Sequence, residues 1–261
     1  MPLHTATTAA ALCLFSLPAI AGICTAQSGP ERATLIELYT SEGCSSCPPA
    51  DRWLSGFAKA NAGQTAPVVL AFHVDYWDQL GWRDRFASPA YTARQYERVR
   101  ANRGRFAYTP QTVVNGKDSL LWRDARAPGE LPGTRPAATA GAKLSLQVEN
   151  RADRQIIAKL DASLTEPARA APAVAYFALY ENGLMSTVSR GENAGRQLAH
   201  DFVVREWQGP FPVNASGNTR ISHTFQGQAI ASAKAGIAVI VERQDGSEIL
   251  QALALPLCQA D

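Results

Sequence analysis

Charge is scarce in this chain and nearly cancels. Only 18% of its 261 residues are Asp, Glu, Lys or Arg, and the formal net charge is +2. So even a balance does not mark a nucleic-acid binder. The one basic run, "RQYERVRANRGR" (94–105), is local and reads as a solvated helix face. Beyond the N-terminus no hydrophobic run is long enough to span a bilayer, so no membrane span is predicted in the mature chain. Cysteine is sparse as well: five residues, with a single CxxC and no second pair. A structural zinc site needs four ligands, and Cys258 with the scattered His73, His200 and His223 makes a poor substitute for the missing two. There is no internal repeat.

The N-terminal segment "MPLHTATTAAALCLFSLPAIAGICTAQSGP" is apolar, small and uncharged from residue 9 to 23. Pro18 leaves it too short to span, and it reads as a secretory signal within residues 1–26. His4 stands in for the usual leading Lys or Arg. Both Ala19-Ile20-Ala21 and Cys24-Thr25-Ala26 fit the small-x-small rule, so cleavage falls after residue 21 or 26. Export favours disulfides. After the earlier cut, Cys24 and Cys258 could pair and tie the termini; after the later one, Cys258 is a lone thiol. The predicted location is periplasmic or secreted.

"ATLIELYT" (33–40) and "PVVLAFHV" (67–74) read as buried strands. Between them "PPADRWLSGFAKAN" places Trp53, Leu54, Phe57 and Ala58 on one helical face, with Pro48 and Pro49 in a first turn that has no use for their missing N–H groups. Ser88-Pro89 opens a second helix to about Asn102. "TPQTVVNG" (109–116) is a strand ending in an Asn-Gly hairpin turn. Residues 125–141, rich in Pro, Gly and Ala, read as a linker. Beyond them, short alternating runs separated by turns predict a β-sandwich. The predicted division is an α/β domain (30–124), the linker, and an all-β sandwich-like domain (142–261).

Cys44-Ser45-Ser46-Cys47 therefore sits where a strand turns into a helix. A four-residue loop is a poor staple, since it closes little chain entropy. At a helix N-terminus, unsatisfied N–H groups and the helix dipole favour a thiolate, the nucleophile of disulfide exchange. Parallel strands joined by a helix end on one edge of the sheet, so His73 and Asp75, from "FHVDYWD", are candidates for proton handling beside the sulfurs. Trp77 and Trp82 either line a groove there or pack a loop. The cluster Arg190, Glu192, Asn193, Arg196 lies in a Gly-bounded loop without an assigned role. His200 and His223 read as sandwich-strand histidines.

"TLIELYTSEGCSSCPPAD" and "TPQTVVNGKD" resemble the thioredoxin superfamily. With "LAFHVDYWDQLGWRDRFASPAYTARQ" and "YENGLMSTVSRGENAGRQLAHDFVVREW", the chain is similar to a family of exported bacterial proteins catalogued as a domain of unknown function. The resemblance implies a thioredoxin-like fold and a redox centre, with Cys44 attacking and Cys47 resolving. It also implies that Thr109 and a cis Pro110 present backbone to substrate. Two departures stand out. Between Cys47 and Pro110 lie 62 residues, an insertion after the second strand. Leu38 occupies the position of the usual buried acid, and Glu37 would face the other way. The function read is thiol–disulfide exchange on exported proteins or small thiols, recycled by a redox partner and needing no cofactor. The alternatives are a Cu(I) metallochaperone using Cys44, Cys47 and His73, and a secreted binding module whose CxxC is a permanent staple.

Overall fold

The computed structural model describes residues 22–63, 67–125, 130, 138–151, 155–226 and 230–258. In chain order the first elements are β1 (Gly22–Gln27), β2 (Leu35–Thr40), α1 (Pro48–Ala60), β3 (Val68–His73), a 3-10 turn (Asp78–Leu80), α2 (Pro89–Ala101), β4 (Gln111–Val114) and β5 (Lys117–Ser119). Then come β6 (Ala142–Asn150), β7 (Gln155–Leu164), β8 (Ala173–Glu181), β9 (Leu184–Thr187), β10 (Gln197–His200), β11 (Val203–Val213), β12 (Asn218–Gln226), β13 (Ala235–Arg243) and β14 (Ile249–Pro256).

The α/β region is built on β2 and β3, parallel from Leu35↔Val68 to Thr40↔His73 and joined by α1. Every residue of both strands is buried, as strands covered on both faces must be. Ile36, Leu38, Val69 and Ala71 pack under Ala50, Leu54 and Phe57 of α1. Leu35, Tyr39, Leu70 and Phe72 face the other way, toward Tyr91 of α2. Prolines occupy the first turn of α1, and Ser88 caps α2 by accepting from the Ala90 amide. β4 runs antiparallel to β2 and turns into β5 through Asn115 (φ 48°) and Gly116 (φ 80°), the positive angles such a turn requires.

The basic run is a solvated face only in part: Arg100, Arg103 and Arg105 are exposed, but two of its arginines are not. Arg94 and Arg98 are both 1% exposed. Their guanidinium groups reach Glu37 of β2 (3.0 and 2.8 Å) and Glu242 of β13, the Arg94–Glu242 contact at 2.8 Å. The Arg94 guanidinium also lies over the rings of Tyr176 and Trp207. Glu37 points to α2, away from the cysteines. Four charges are thus paired across the junction of the two regions, which is the only form in which such groups tolerate burial.

The α/β region is followed by a larger β region, as the sequence predicts, and the two share one sheet. Its order is β14-β13-β8-β11-β3-β2-β4-β5, with Val203 of β11 pairing in parallel with Ala71 of β3. A second sheet, β1-β6-β7-β12, packs on its far half to give the sandwich. Leu144, Leu146, Val148, Ile156 and Leu160 meet Phe177, Leu179, Ile237 and Val239 in that core. Residues 22–26, placed in the signal segment by the sequence, form most of β1, and Cys24 is disulfide-bonded to Cys258 (Cα–Cα 5.9 Å). The rest of the signal segment and most of the linker lie outside the described residues.

Candidate active site

β2 ends at Thr40, and the chain turns through Ser41-Glu42-Gly43 into the cysteine loop. Cys44 and Cys47 form a disulfide with Cα atoms 5.4 Å apart. The Cys44 amide donates to the Ser41 carbonyl, and the Cys47 amide to the Cys44 carbonyl. Both cysteines are 0% accessible. One expectation needs correction: free helix amides do not point at Cys44. Pro48 and Pro49 carry no N–H, and the amides of Ala50 and Asp51 both bond to the Cys47 carbonyl. What lies beside Cys44 Sγ is the hydroxyl of the exposed Ser46, at 3.4 Å.

Around this turn is a cluster of buried titratable groups. His73, on the α1 side of β3, has Nδ1 2.6 Å from Asp84 Oδ2. Asp84 also accepts from the amides of Glu42 (2.9 Å) and Phe86 (2.9 Å). Burial works against a charged imidazole, but the Asp84 carboxylate, with Asp51 and Glu42 behind it, outweighs burial and holds the His73 pKa above its usual value. Burial likewise opposes a charged Asp84, and its contacts with His73 and the two amides overcome it and hold its pKa low. The Asp51 pKa is pushed up by burial, which the nearby His200 and His73 only partly offset. Glu42 accepts from Trp82 Nε1 at 2.7 Å, and its Oε1 is 3.4 Å from His200 Nε2. The rings of His73 and His200 are 5.0 Å apart, edge to face. Among the described residues, His73 Nε2 and both ring nitrogens of His200 are buried without a hydrogen-bond partner.

Of the residues singled out in the sequence, Cys44 and Cys47 are bonded to each other, and His73 is linked to their turn through Asp84, which also holds the Glu42 amide. Asp75 does not join them, because β3 ends at His73 and its alternation ends there too. The Asp75 carboxylate is held by Thr92 Oγ1 of α2, at 2.5 Å. The Thr109-Pro110 peptide is cis, and Thr109 Oγ1 accepts from Trp77 Nε1 at 2.8 Å. Trp77 in turn packs its Cβ over Gly43. His200 belongs to this site and not to the sandwich, since β9 and β10 form a separate ribbon that reaches the α/β region. The loop between them touches the cysteine turn directly. Asn193 Nδ2 donates to the carbonyls of Glu42 (2.8 Å) and Cys44 (3.0 Å), and Glu192 accepts from the Ser45 amide (3.1 Å). Asp84, Glu42 and Asp51 carry no sequence pattern that would select them. Glu42 and Asp51 lie close to the cysteines in sequence, and that proximity was the available signal.

The chain belongs to the family described as a protein of unknown function, DUF1223, whose profile matches residues 35–242. No curated protein matches it. Among solved structures, it is similar to protein AGR_C_4864 from Agrobacterium tumefaciens at 23% identity and a TM-score of 0.62, covering 90% of this chain and 98% of that one. It is also similar to HBP35 of Porphyromonas gingivalis at 14% identity and a TM-score of 0.67, covering 89% of this chain and 77% of that one. Likenesses this distant speak for the fold alone.

Proposed function

We propose that this DUF1223 protein is an exported thiol–disulfide oxidoreductase working through Cys44 and Cys47. The observation that carries the reading is a closed CxxC disulfide at a strand-to-helix turn, surrounded by buried acid and imidazole groups. A pair that only stapled four residues would have little need of such surroundings. A periplasmic or secreted location is supported by the apolar N-terminal segment and by two disulfides in one chain, which persist in oxidising compartments.

In the reductive half-reaction a substrate thiolate attacks Cys44 Sγ. The Cys44–Cys47 bond breaks, and Cys47 leaves with the electron pair and takes a proton. A second substrate thiolate then attacks the substrate sulfur of the mixed disulfide and releases Cys44. Two thiols are oxidised to one disulfide, and the CxxC takes up two electrons and two protons. The oxidative half-reaction is the reverse, with Cys44 as nucleophile and Cys47 resolving. Cys44 is assigned the outer role because its sulfur contacts the exposed Ser46, while Cys47 leads directly into α1. His73 and Asp51 are assigned the proton traffic. Thr109 and Pro110, tied to the cysteine turn through Trp77, are assigned to substrate backbone.

The test is equilibration of the protein with glutathione redox buffers, followed by thiol trapping and mass analysis. A reversible two-electron conversion of the Cys44–Cys47 pair, with catalysed reduction of a small-molecule disulfide, is the expected result. A pair that no thiol reduces in the folded protein would end this reading.

A further inference from the structure

The β9–β10 ribbon belongs to neither large sheet, and its tip lies on the cysteine turn. The tip is preformed by its own bonds: Val188 to the Arg196 carbonyl, Gly195 to Val188, Ala194 to Gly191 and Arg196 to Asn193. Arg196 Nη1 donates to Asn193 Oδ1, which orients the Asn193 amide so that its NH2 faces the two carbonyls of Glu42 and Cys44. Glu192, itself exposed, sits on the Ser45 amide, and the Ser45 bonds hold its carboxyl below the usual range. Gly191 (φ 74°) passes over Trp82, where an added Cβ would lie 3.2 Å from the Trp82 Cβ.

Both sulfurs are inaccessible, so an incoming thiolate must displace something to reach Cys44. Helix α1 and strand β2 are fixed in the core. From residue 189 to 197 every residue but Asn193 is exposed, so little apolar burial would be lost if the tip lifted. It holds residues 42–47 by the hydrogen bonds of Asn193 and Glu192.

We propose that residues 189–196 are a lid over the cysteine pair, latched by Asn193 and Glu192, and that the latch selects thiols by size. The inference rests on the exchange reading above. Asn193 and Glu192 are specificity-determining residues supplied by the β region to chemistry housed in the α/β region. The reductant in the gated step is the substrate thiol, with the stoichiometry already given.

The experiment measures reduction of the Cys44–Cys47 disulfide by 2-mercaptoethanol and by a reduced thioredoxin, a small and a folded protein thiol. Wild type, Glu192→Ala, Glu192→Gln and Asn193→Ala are compared. Backbone amide exchange at Ser45 is followed in parallel. Losing one or two latch bonds should raise the protein-thiol rate by roughly 5- to 30-fold. The small-thiol rate should rise by a smaller factor, and Ser45 exchange should accelerate. Glu192→Gln keeps an acceptor for Ser45 and should stay near wild type. Equal acceleration with both thiols would mean that the loop tunes sulfur reactivity and is no lid. Unchanged rates in folded Glu192→Ala, whose side chain is exposed, would also overturn it. If neither thiol reduces any variant, the exchange reading has failed, and Ser45 exchange alone decides the latch: faster in the Ala variants supports it, unchanged rejects it.

Discussion

His73 Nδ1 lies 2.6 Å from Asp84 Oδ2, and neither side chain is accessible to solvent. One partner ends the second parallel strand and the other sits in the insertion that follows it. This bond fastens the insertion to the cysteine site.

The pair makes stability depend on pH in a defined sense. His73 is held above its unfolded value, so its contribution is complete below about pH 6.5 and is lost as pH rises through its folded value. Asp84 is held below its unfolded value, so its contribution is complete above about pH 3.9 and is lost as pH falls through its folded value. The contribution of the pair is therefore greatest between those limits. Asp84→Asn should lower stability at pH 5 by on the order of 3 kcal/mol, because it strands a buried imidazolium. Above pH 8 the loss should be smaller. Urea titrations of both proteins across pH 4–9 check this, and a pH-independent difference would contradict it.

The cysteine variants separate exchange from stapling. Cys44→Ser should abolish turnover of a small-molecule disulfide. Cys47→Ser should accumulate a mixed disulfide at Cys44, since the resolving sulfur is gone. Mass analysis after a brief exposure to oxidised glutathione reads the adduct directly. Equal labelling of the remaining thiol in both variants, with no adduct in Cys47→Ser, would reduce the pair to a staple.

Local pattern made much of this molecule readable. The parallel strand pair, both helices with their proline first turns, and the Asn115-Gly116 hairpin follow from residues close together in the chain. The cysteine turn follows from the same short segment. What escaped the sequence depends on contacts over long separations. Arg94 and Arg98 look like surface residues until Glu242, well over a hundred positions later, comes to meet them. His200 alternates like a sandwich residue, yet it joins His73 because β9 and β10 leave the sheets. The Glu192 and Asn193 loop was visible as a polar, Gly-bounded segment, but nothing local says which turn it covers.

The buried charges between the two regions should behave as one unit. Glu242→Gln leaves two guanidinium groups short of a carboxylate in a closed site. A loss of about 3–5 kcal/mol is expected, as for other broken buried pairs. Because the bonds join α2 to β13 across the shared sheet, the α/β and β regions should still unfold in a single transition in the wild type. Fluorescence of Trp207, beside Arg94, and far-UV dichroism should give coincident urea curves. Separate midpoints would show that the bridge does not couple the regions.

Among the described residues β1 is the edge strand of the second sheet and pairs with β6, from Gly22↔Asn150 to Gln27↔Ser145. Its Cys24 is bonded to Cys258, 234 positions later. Cleavage after Ala26 would remove the strand and leave Cys258 without its partner, whereas cleavage after Ala21 keeps both. The mature N-terminus is therefore expected at Gly22. A digest of the unreduced protein should contain a peptide joining Cys24 to Cys258, separate from the one holding Cys44 and Cys47. Cys258→Ser should lower stability by about 2–5 kcal/mol, because the bridge constrains nearly the whole unfolded chain. It should leave exchange at Cys44 intact, since the bridge lies on the sandwich side of the molecule. N-terminal sequencing that begins at Gln27, or Cys258 recovered as a free thiol, would contradict the assignment.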